Sequence, residues 1–252
     1  LCLTVCPEDA IYPPIPIDEA LESDTYHKID REKCTKCMKC IDICPYGALL
    51  TVGEPQSVEQ VLAEVERDFP FYINSGGGMT VTGGEPTTQP EYLAELLREG
   101  KKRGLHICLD TCGYCEGEIY DQIKDNVDIF LFDLKHVDPE EHLRKTGVRN
   151  EQILENLRKL SATGKSIRIR MPVIPEYNDS MEYMENVANL LRSLPNKVDY
   201  VDLLPFHNWC QEKYRWLGLE WDMEDVESLD PSEVDDAKDL FEDYGFNSTI
   251  GG

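Results

Sequence analysis

The sequence predicts an α/β protein in which a parallel sheet follows a small cysteine-rich segment. Three observations predict it. Apolar strand-like runs at 79–82, 105–110, 128–134, 166–173 and 200–204 alternate with stretches of helical periodicity at 56–68, 90–103, 116–125, 150–163 and 180–193. Ionisable or amide side chains cluster at the ends of those runs. Six of the ten cysteines fall before residue 45. Together they divide the chain into residues 1–50, a partial metal-binding segment, and residues 51–252, the α/β unit with an acidic C-terminal stretch.

The helix-strand alternation begins after Leu50. In the first helix Val58, Val61, Leu62 and Val65 recur at helical spacing. Strands separated by helices pair in parallel, which places their C-terminal ends on one edge of the sheet, where loops carry function. The groups at those ends are Gly83–Glu85, Asp110 with Thr111, Asp133 with Lys135, Arg170 with Asn178, and His207. Any one of them is ordinary loop polarity, but the set of five predicts one shared site. Gly83-Gly84 permits close backbone approach, and the Glu85 carboxylate suits an ammonium group. Asp133 and Lys135 project to the same side of an extended segment, as an internal ion pair or as a grip on a zwitterion. His106 lies in a strand and is read as structural, whereas His136 and His142 are assigned to the cleft or the surface. Trp209, Trp216 and Trp221 are expected in core or rim packing.

With 49 acidic and 25 basic residues the formal charge is −24, a field that opposes binding to phosphate backbones, so no nucleic-acid partner is expected. Residues 220–243 hold 12 acidic residues and one lysine, with Val226, Leu229, Val234, Leu240 and Phe241 as the buried side of an amphipathic segment. No run of 18 apolar residues suggests a membrane span, and the opening residues do not read as a leader, so a cytoplasmic location is expected.

The cysteines are clumped at intervals of three and four, which suits metal ligation in a reducing compartment better than a disulfide scaffold. Residues 34–45, C-T-K-C-M-K-C-I-D-I-C-P, follow the C-x2-C-x2-C-x3-C-P run of bacterial two-cluster ferredoxins. Cys34, Cys37 and Cys40 would hold three corners of one Fe4S4 cube, while Cys44, followed by Pro45, reaches a second. The first cube then needs a remote thiolate. Cys6-Pro7 mirrors Cys44-Pro45 and supplies it, and Cys2 is the last member of a preceding triplet. A zinc knuckle is the competing reading. His27, in the Pro-rich connector 12–33, is read as a surface residue.

The stretch Gly76-Gly77-Gly78-Met79-Thr80-Val81-Thr82-Gly83-Gly84-Glu85-Pro86 resembles that of the glycyl-radical-enzyme activating enzymes, a branch of the radical S-adenosylmethionine (SAM) superfamily. Asp110-Thr111-Cys112-Gly113, Asp133-Leu134-Lys135, His142 through Thr146-Gly147 and Asn150, Arg170 to Pro175 with Asn178-Asp179, and Leu204-Pro205-Phe206-His207 extend the likeness from residue 1 to at least 218. The resemblance implies a partial (β/α)6 barrel with a ferredoxin-like two-cluster insert. It also implies that one electron cleaves SAM to methionine and a 5′-deoxyadenosyl radical, which takes a hydrogen atom from a backbone glycine of a partner glycyl radical enzyme. A flavodoxin or ferredoxin would supply the electron. Carried over residue by residue, Gly83, Gly84 and Glu85 would hold the amino end of SAM. Asp133, Lys135 and His207 would line its site with Arg170 and Asn178 nearby, and Lys135, Arg170 and His207 would serve catalysis. Asp110, Thr111 and Asp133 resemble a monovalent-cation site.

One element departs from the pattern. The family's catalytic C-x3-C-x2-C loop should precede the insert, and none precedes Cys2. The expectation is that the first strand and that loop belong to a longer parent protein. Cys108-x3-Cys112-x2-Cys115 has the right spacing but starts inside a strand and follows Gly-Gly-Glu, so it is set aside. The rival functions are another radical SAM peptide modification, using auxiliary clusters, and a non-enzymatic electron carrier.

Overall fold

The computed structural model describes residues 1–15, 28–217 and 219–251, without the side chains of residues 215 and 216. His27 and the Trp216 side chain lie outside what is described. The chain divides into two compact units: Leu1–Gln56 with Asn208–Val226, and Ser57–His207 with Glu227–Gly252.

The larger unit is built on β1 (Gly78–Val81), β2 (His106–Thr111), β3 (Ile129–Asp133), β4 (Ser166–Val173), β5 (Tyr200–Pro205) and β6 (Asn247–Ile250). They form one sheet in sequential order, every neighbour parallel. Parallel pairing requires each connection to cross from one end of the sheet to the other, which the helices between the strands do. All C-terminal strand ends therefore share one edge. The five expected strands are present. β6 is an addition, because Asn-Ser-Thr-Ile carries a single aliphatic side chain and no period to announce it.

Alternation along the strands separates two faces. Ile107 and Leu109 of β2, Phe130 and Phe132 of β3, and Ile167, Ile169, Met171 and Val173 of β4 are buried in one continuous core. Against them pack Leu93, Leu96 and Leu97 of helix Pro90–Lys102, Ile153, Leu157 and Leu160 of Glu151–Ala162, and Met184, Val187 and Leu191 of Met181–Arg192. These positions recur at the three- and four-residue spacing of one helical face, and burying each large aliphatic contributes about 1.5–3 kcal/mol. The opposite face carries Cys108, Asp110, Asp133, Arg168 and Arg170, partly accessible. An apolar face under helices and a polar face left open form the scaffold of the site.

Local signals set the helix ends. Ser57 and Gln60 form a reciprocal capping box before Val58–Val65. Asp138 accepts from the amides of Glu140 and Glu141 at the start of Pro139–Thr146. That helix, P-E-E-H-L-R-K-T with a single aliphatic residue to mark a face, was not expected, nor was the seven-residue Phe69–Ser75. In the acidic C-terminal stretch the apolar positions behave as expected at Val234 and Phe241, which are buried, while Leu229 and Leu240 pack partly buried against the core. Among the described residues no helix is long and apolar enough to cross a membrane.

In the smaller unit the segment 208–226 closes on itself. Asn208 donates from Nδ2 to the Val226 carbonyl and accepts from Trp221 Nε1, and Tyr214 meets Trp221 edge-on at 4.7 Å. Trp209 is 83% exposed, contrary to the packing expected of it, whereas Tyr214 and Trp221, which meet each other, are half-buried.

The turn after β2 yields a prediction. Gly113 has φ +77°, and a Cβ there would lie 2.3 Å from Phe132 Cζ, whereas Gly104 has φ +79° with open space around it. Gly104→Ala should cost about 1–2 kcal/mol from the backbone alone, and Gly113→Ala about 2–4 kcal/mol once the contact is added. Chemical denaturation of the two variants measures the difference.

Candidate functional site

At the C-terminal edge of β1, β2 and β3 lies a cavity of about 350 Å³ lined by Thr82, Gly83, Gly84, Glu85, Asp110, Thr111, Cys112, Asp133 and Lys135. Seven of these nine were expected at the site from sequence. Thr82 and Cys112 were not, although each is the chain neighbour of an expected residue.

Glu85 organises the near wall. Its Oε1 accepts from the Thr87 amide at 3.1 Å, the Thr87 hydroxyl at 2.7 Å and the Thr111 hydroxyl at 2.9 Å. Its Oε2 accepts from the Cys112 amide at 2.7 Å. With the Thr111 proton directed at Glu85, the Tyr120 hydroxyl 3.1 Å away donates to Thr111. Burial alone would raise the Glu85 carboxyl, but the bonds from Cys112 and Thr87 outweigh it and hold it below the usual range. The same contact works in reverse on the Cys112 thiol, which burial and the facing carboxylate push up to about 11. The carboxylate thus ties the loop after β1 to the turn after β2. Gly83, at φ +149°, adopts a conformation that other residues rarely take, and no atom lies within 4 Å of where a Cβ of Gly83 or Gly84 would stand. The backbone there is open to a ligand.

The other walls hold charge. Lys135 Nζ lies 2.8 Å from Asp133 Oδ2, half-exposed, so the same-side placement read from sequence is present as an ion pair. Asp110 accepts from the Thr82 hydroxyl at 3.2 Å and from Arg170 Nη1 at 2.7 Å. Burial and the nearby Asp133 raise the Asp110 carboxyl, and Arg170 opposes them. Arg170 therefore reaches the site through Asp110. Asn178 is buried, its Oδ1 accepting from the Ile174 amide and its Nδ2 donating to the carbonyls of Lys135 and Pro172. It fastens the loop after β3 to the loop after β4 and does not line the cavity. His207 is exposed, two residues beyond β5. His136 and His142 are buried, in neither of the positions expected. His136 stacks between Tyr177 and Tyr183, and His142 Nδ1 lies 2.7 Å from the Val148 carbonyl.

A second polar cluster went unread in the sequence. Arg168 meets Asp202 through two bonds of 2.9 and 2.6 Å, and the Thr249 hydroxyl adds a third to Asp202. Asp202 is buried and needs this partner. The available signal was the two-residue step from Arg168 to Arg170, which puts both on one face of β4. Burial raises the thiols of the C-x3-C-x2-C spacing, Cys108, Cys112 and Cys115, above the ordinary range.

The smaller unit repeats one local structure around its cysteines. Ala10 donates its amide to Cys6 Sγ and Ala48 donates to Cys44 Sγ, both at 3.3 Å and both four residues on. At the residue before each alanine the backbone is left-handed, Asp9 at φ 47° and Gly47 at φ 58°. Amide bonds to sulfur stabilise thiolate, and the Cys44 thiol is lowered by those of Ala48 and Tyr46. Burial first, then Cys34 and Cys37, raises the Cys40 thiol, and Lys36 donates its amide to Cys34 Sγ at 3.4 Å. Among the described residues no three His, Cys, Asp or Glu side chains converge as a single ion would require. A cube places its irons at separate corners and spreads its thiolates, and the C-x2-C-x2-C spacing with amides directed at the sulfurs of Cys6, Cys34 and Cys44 fits that group.

Comparison with known proteins agrees. Residues 40–191 match the Radical SAM superfamily model, and residues 27–50 match the 4Fe-4S binding domain. The trans-4-hydroxy-L-proline dehydratase activating enzyme of Clostridioides difficile is 35% identical, across 92% of this chain and 87% of that protein. The isethionate sulfite-lyase activating enzyme of Nitratidesulfovibrio vulgaris is 39% identical, across 89% and 71%. The chain belongs to the radical SAM superfamily, among its glycyl-radical-enzyme activating enzymes. The crystal structure of a domain of a pyruvate-formate lyase-activating enzyme from Bacteroides vulgatus aligns with TM-score 0.60 at 30% identity, over 70% of this chain and 99% of that one. Streptococcus suis SuiB shares the fold at TM-score 0.57 and 16% identity, over 79% of this chain and 44% of its own. For this radical SAM protein an Fe4S4 cluster and SAM follow as cofactors, and a glycyl radical enzyme as partner.

The Glu85 clamp is testable. Glu85→Gln keeps the shape but sets an amide NH2 against one of the donors, and should destabilise the protein by about 2–3 kcal/mol at pH 7. Because the folded carboxyl titrates below its unfolded value, its contribution is complete above that value, about pH 4.3, and is lost as pH falls through the folded one. The gap between wild type and variant should narrow on acidification, as followed by denaturant midpoints from pH 7 to 3.

Proposed function

We propose that this cavity holds the methionine portion of SAM and that the protein activates its partner by taking a hydrogen atom from a backbone glycine. The observation that carries this reading is the pairing of Asp133 with Lys135 at 2.8 Å in the same cavity as the open Gly83-Gly84 backbone. A zwitterion presents both signs within a few ångströms, and this wall answers both. Lys135 would take the carboxylate, and the Gly83–Glu85 loop with its acidic neighbours the ammonium. When bound, the catalytic Fe4S4 cluster supplies the electron that cleaves SAM and so provides the radical for hydrogen abstraction.

The chain's own residues position and polarise. Glu85 fixes the loop that meets the amino end. Arg170 holds Asp110 in place, and Asn178 anchors the backbone of Lys135, so the ammonium of Lys135 stands on a rigid base. His207, on the loop after β5, would approach from that side. Asp110, Thr111 and Asp133 all line the cavity and offer oxygen ligands for a monovalent cation. In the smaller unit Cys6, Cys34, Cys37 and Cys40 would hold one auxiliary cube, with Cys44 and Cys2 reaching a second. A ferredoxin-like segment of residues 1–50, a barrel from residue 51 and a cytoplasmic setting complete the reading, with a flavodoxin or ferredoxin as electron donor.

The test uses the full-length protein, reconstituted anaerobically and incubated with SAM, a reductant and a glycyl radical enzyme from the same organism. A glycyl radical signal on the partner, seen by electron paramagnetic resonance, is expected. Lys135→Ala should weaken SAM binding by about tenfold or more, the loss of one charge-assisted bond. Reconstituted protein that neither binds SAM nor generates the signal would refute the proposal.

A further inference from the structure

The strongest unexplained feature lies around the cysteine run of the smaller unit. Residues 28–39 contain five basic residues, Lys28, Arg31, Lys33, Lys36 and Lys39, against Asp30 and Glu32, a net +3. The chain as a whole carries −24, which leaves −27 for the remainder. In K-C-T-K-C-M-K-C each of Lys33, Lys36 and Lys39 directly precedes a cysteine. All three lysines are exposed, and so are Arg31 and Cys37. The loop is held in this form. Lys28 Nζ donates to the Tyr12 carbonyl at 2.7 Å, and Lys33 pairs with Asp30 at 3.1 Å. Lys36 and Met38 take left-handed φ values of 54° and 61° on either side of Cys37. No ion pair to Lys36 or Lys39 is present among the described residues.

We propose that this lysine rim is the docking surface for the acidic one-electron carrier protein, and that the electron enters at the exposed Cys37 edge; this rests on the reading of Cys34, Cys37 and Cys40 as ligands of an auxiliary cluster. Charge complementarity selects the occupant. An acidic protein meets attraction at the rim and repulsion from the net charge of the remainder, so encounter is both steered and oriented toward Cys37, which is exposed where the other five expected ligands are half-buried. An extended phosphate backbone would run off a rim of this size into the surrounding negative field. The step is outer-sphere: the reduced carrier loses one electron and the cluster gains it, with no covalent bond made or broken.

The test uses full-length holoprotein and reduced flavodoxin of net negative charge as the probe. Lys36→Glu/Lys39→Glu reverses the rim, and Lys145→Glu/Arg158→Glu makes the same charge change at exposed positions in the other unit. Stopped-flow mixing gives the rate of cluster reduction, and titration with oxidised flavodoxin gives affinity without turnover. Iron content and reduction by dithionite, which needs no docking surface, check the clusters. The rim variant should lose about tenfold or more in both rate and affinity at low salt, with the difference fading at high salt, while the control pair stays near wild type. Equal losses in the two variants, or none, overturn the proposal. So does a rim variant that loses affinity only for the glycyl partner or a nucleic acid. Wild-type protein without iron overturns the cluster reading together with it, whereas full iron with unchanged flavodoxin kinetics overturns the docking surface alone.

Discussion

One carboxylate holds the site together. Glu85 accepts bonds from Thr87, Thr111 and Cys112, and so joins the loop leaving β1 to the turn leaving β2. Parallel strands bring their C-terminal ends to one edge, but loops at that edge are not fixed by the sheet itself. A charged acceptor with several neutral donors fixes them, because each donor gains more from an ionised oxygen than from water and none competes with another carboxylate. The Gly83-Gly84 backbone is then presented in one conformation, open on the ligand side and fastened behind.

The same logic extends across the open face of the sheet. Asp110 is answered by Arg170, Asp133 by Lys135, and buried Asp202 by Arg168. Arg168 and Asp202 join the neighbouring β4 and β5, Arg170 reaches across β3 to Asp110 of β2, and Lys135 turns back on Asp133 of its own segment, so charge neutralisation also sets geometry. Asp202 is the deepest and takes the two-pronged arginine with a threonine besides, as a buried carboxylate requires. The pairs nearer the edge are more exposed and remain able to exchange partners with a charged ligand. A gradient from sealed to accessible ion pairs suits a cleft that must be rigid at its base and receptive at its mouth.

In the smaller unit the physical theme is repetition. Cys6 and Cys44 each receive an amide bond from four residues on, across a left-handed residue that is aspartate in one copy and glycine in the other. Asp9 adopts a backbone state that costs a non-glycine residue about 1–2 kcal/mol, so local geometry around the sulfur has outweighed propensity there.

The sequence alone determined the alternation of strands and helices, the cysteine spacing, and the polar residues at strand ends, since each depends only on local period or contiguous motif. The same-side relation of Asp133 and Lys135 and the likeness of Cys6-Pro7 to Cys44-Pro45 were legible for that reason. Tertiary structure decided what depends on distant partners. That Glu85 spends its oxygens on Thr87, Thr111 and Cys112, that Arg170 acts through Asp110, and that Asn178 bonds backbone rather than lining the cavity are relations across 26 or more residues in most cases. β6 was invisible because a short polar strand is defined by the neighbour it pairs with. His136 and His142 became core residues because aromatic rings and a carbonyl from other segments enclosed them. Period and spacing are written along the chain, whereas the partner of a buried polar group exists only once the chain has closed around it.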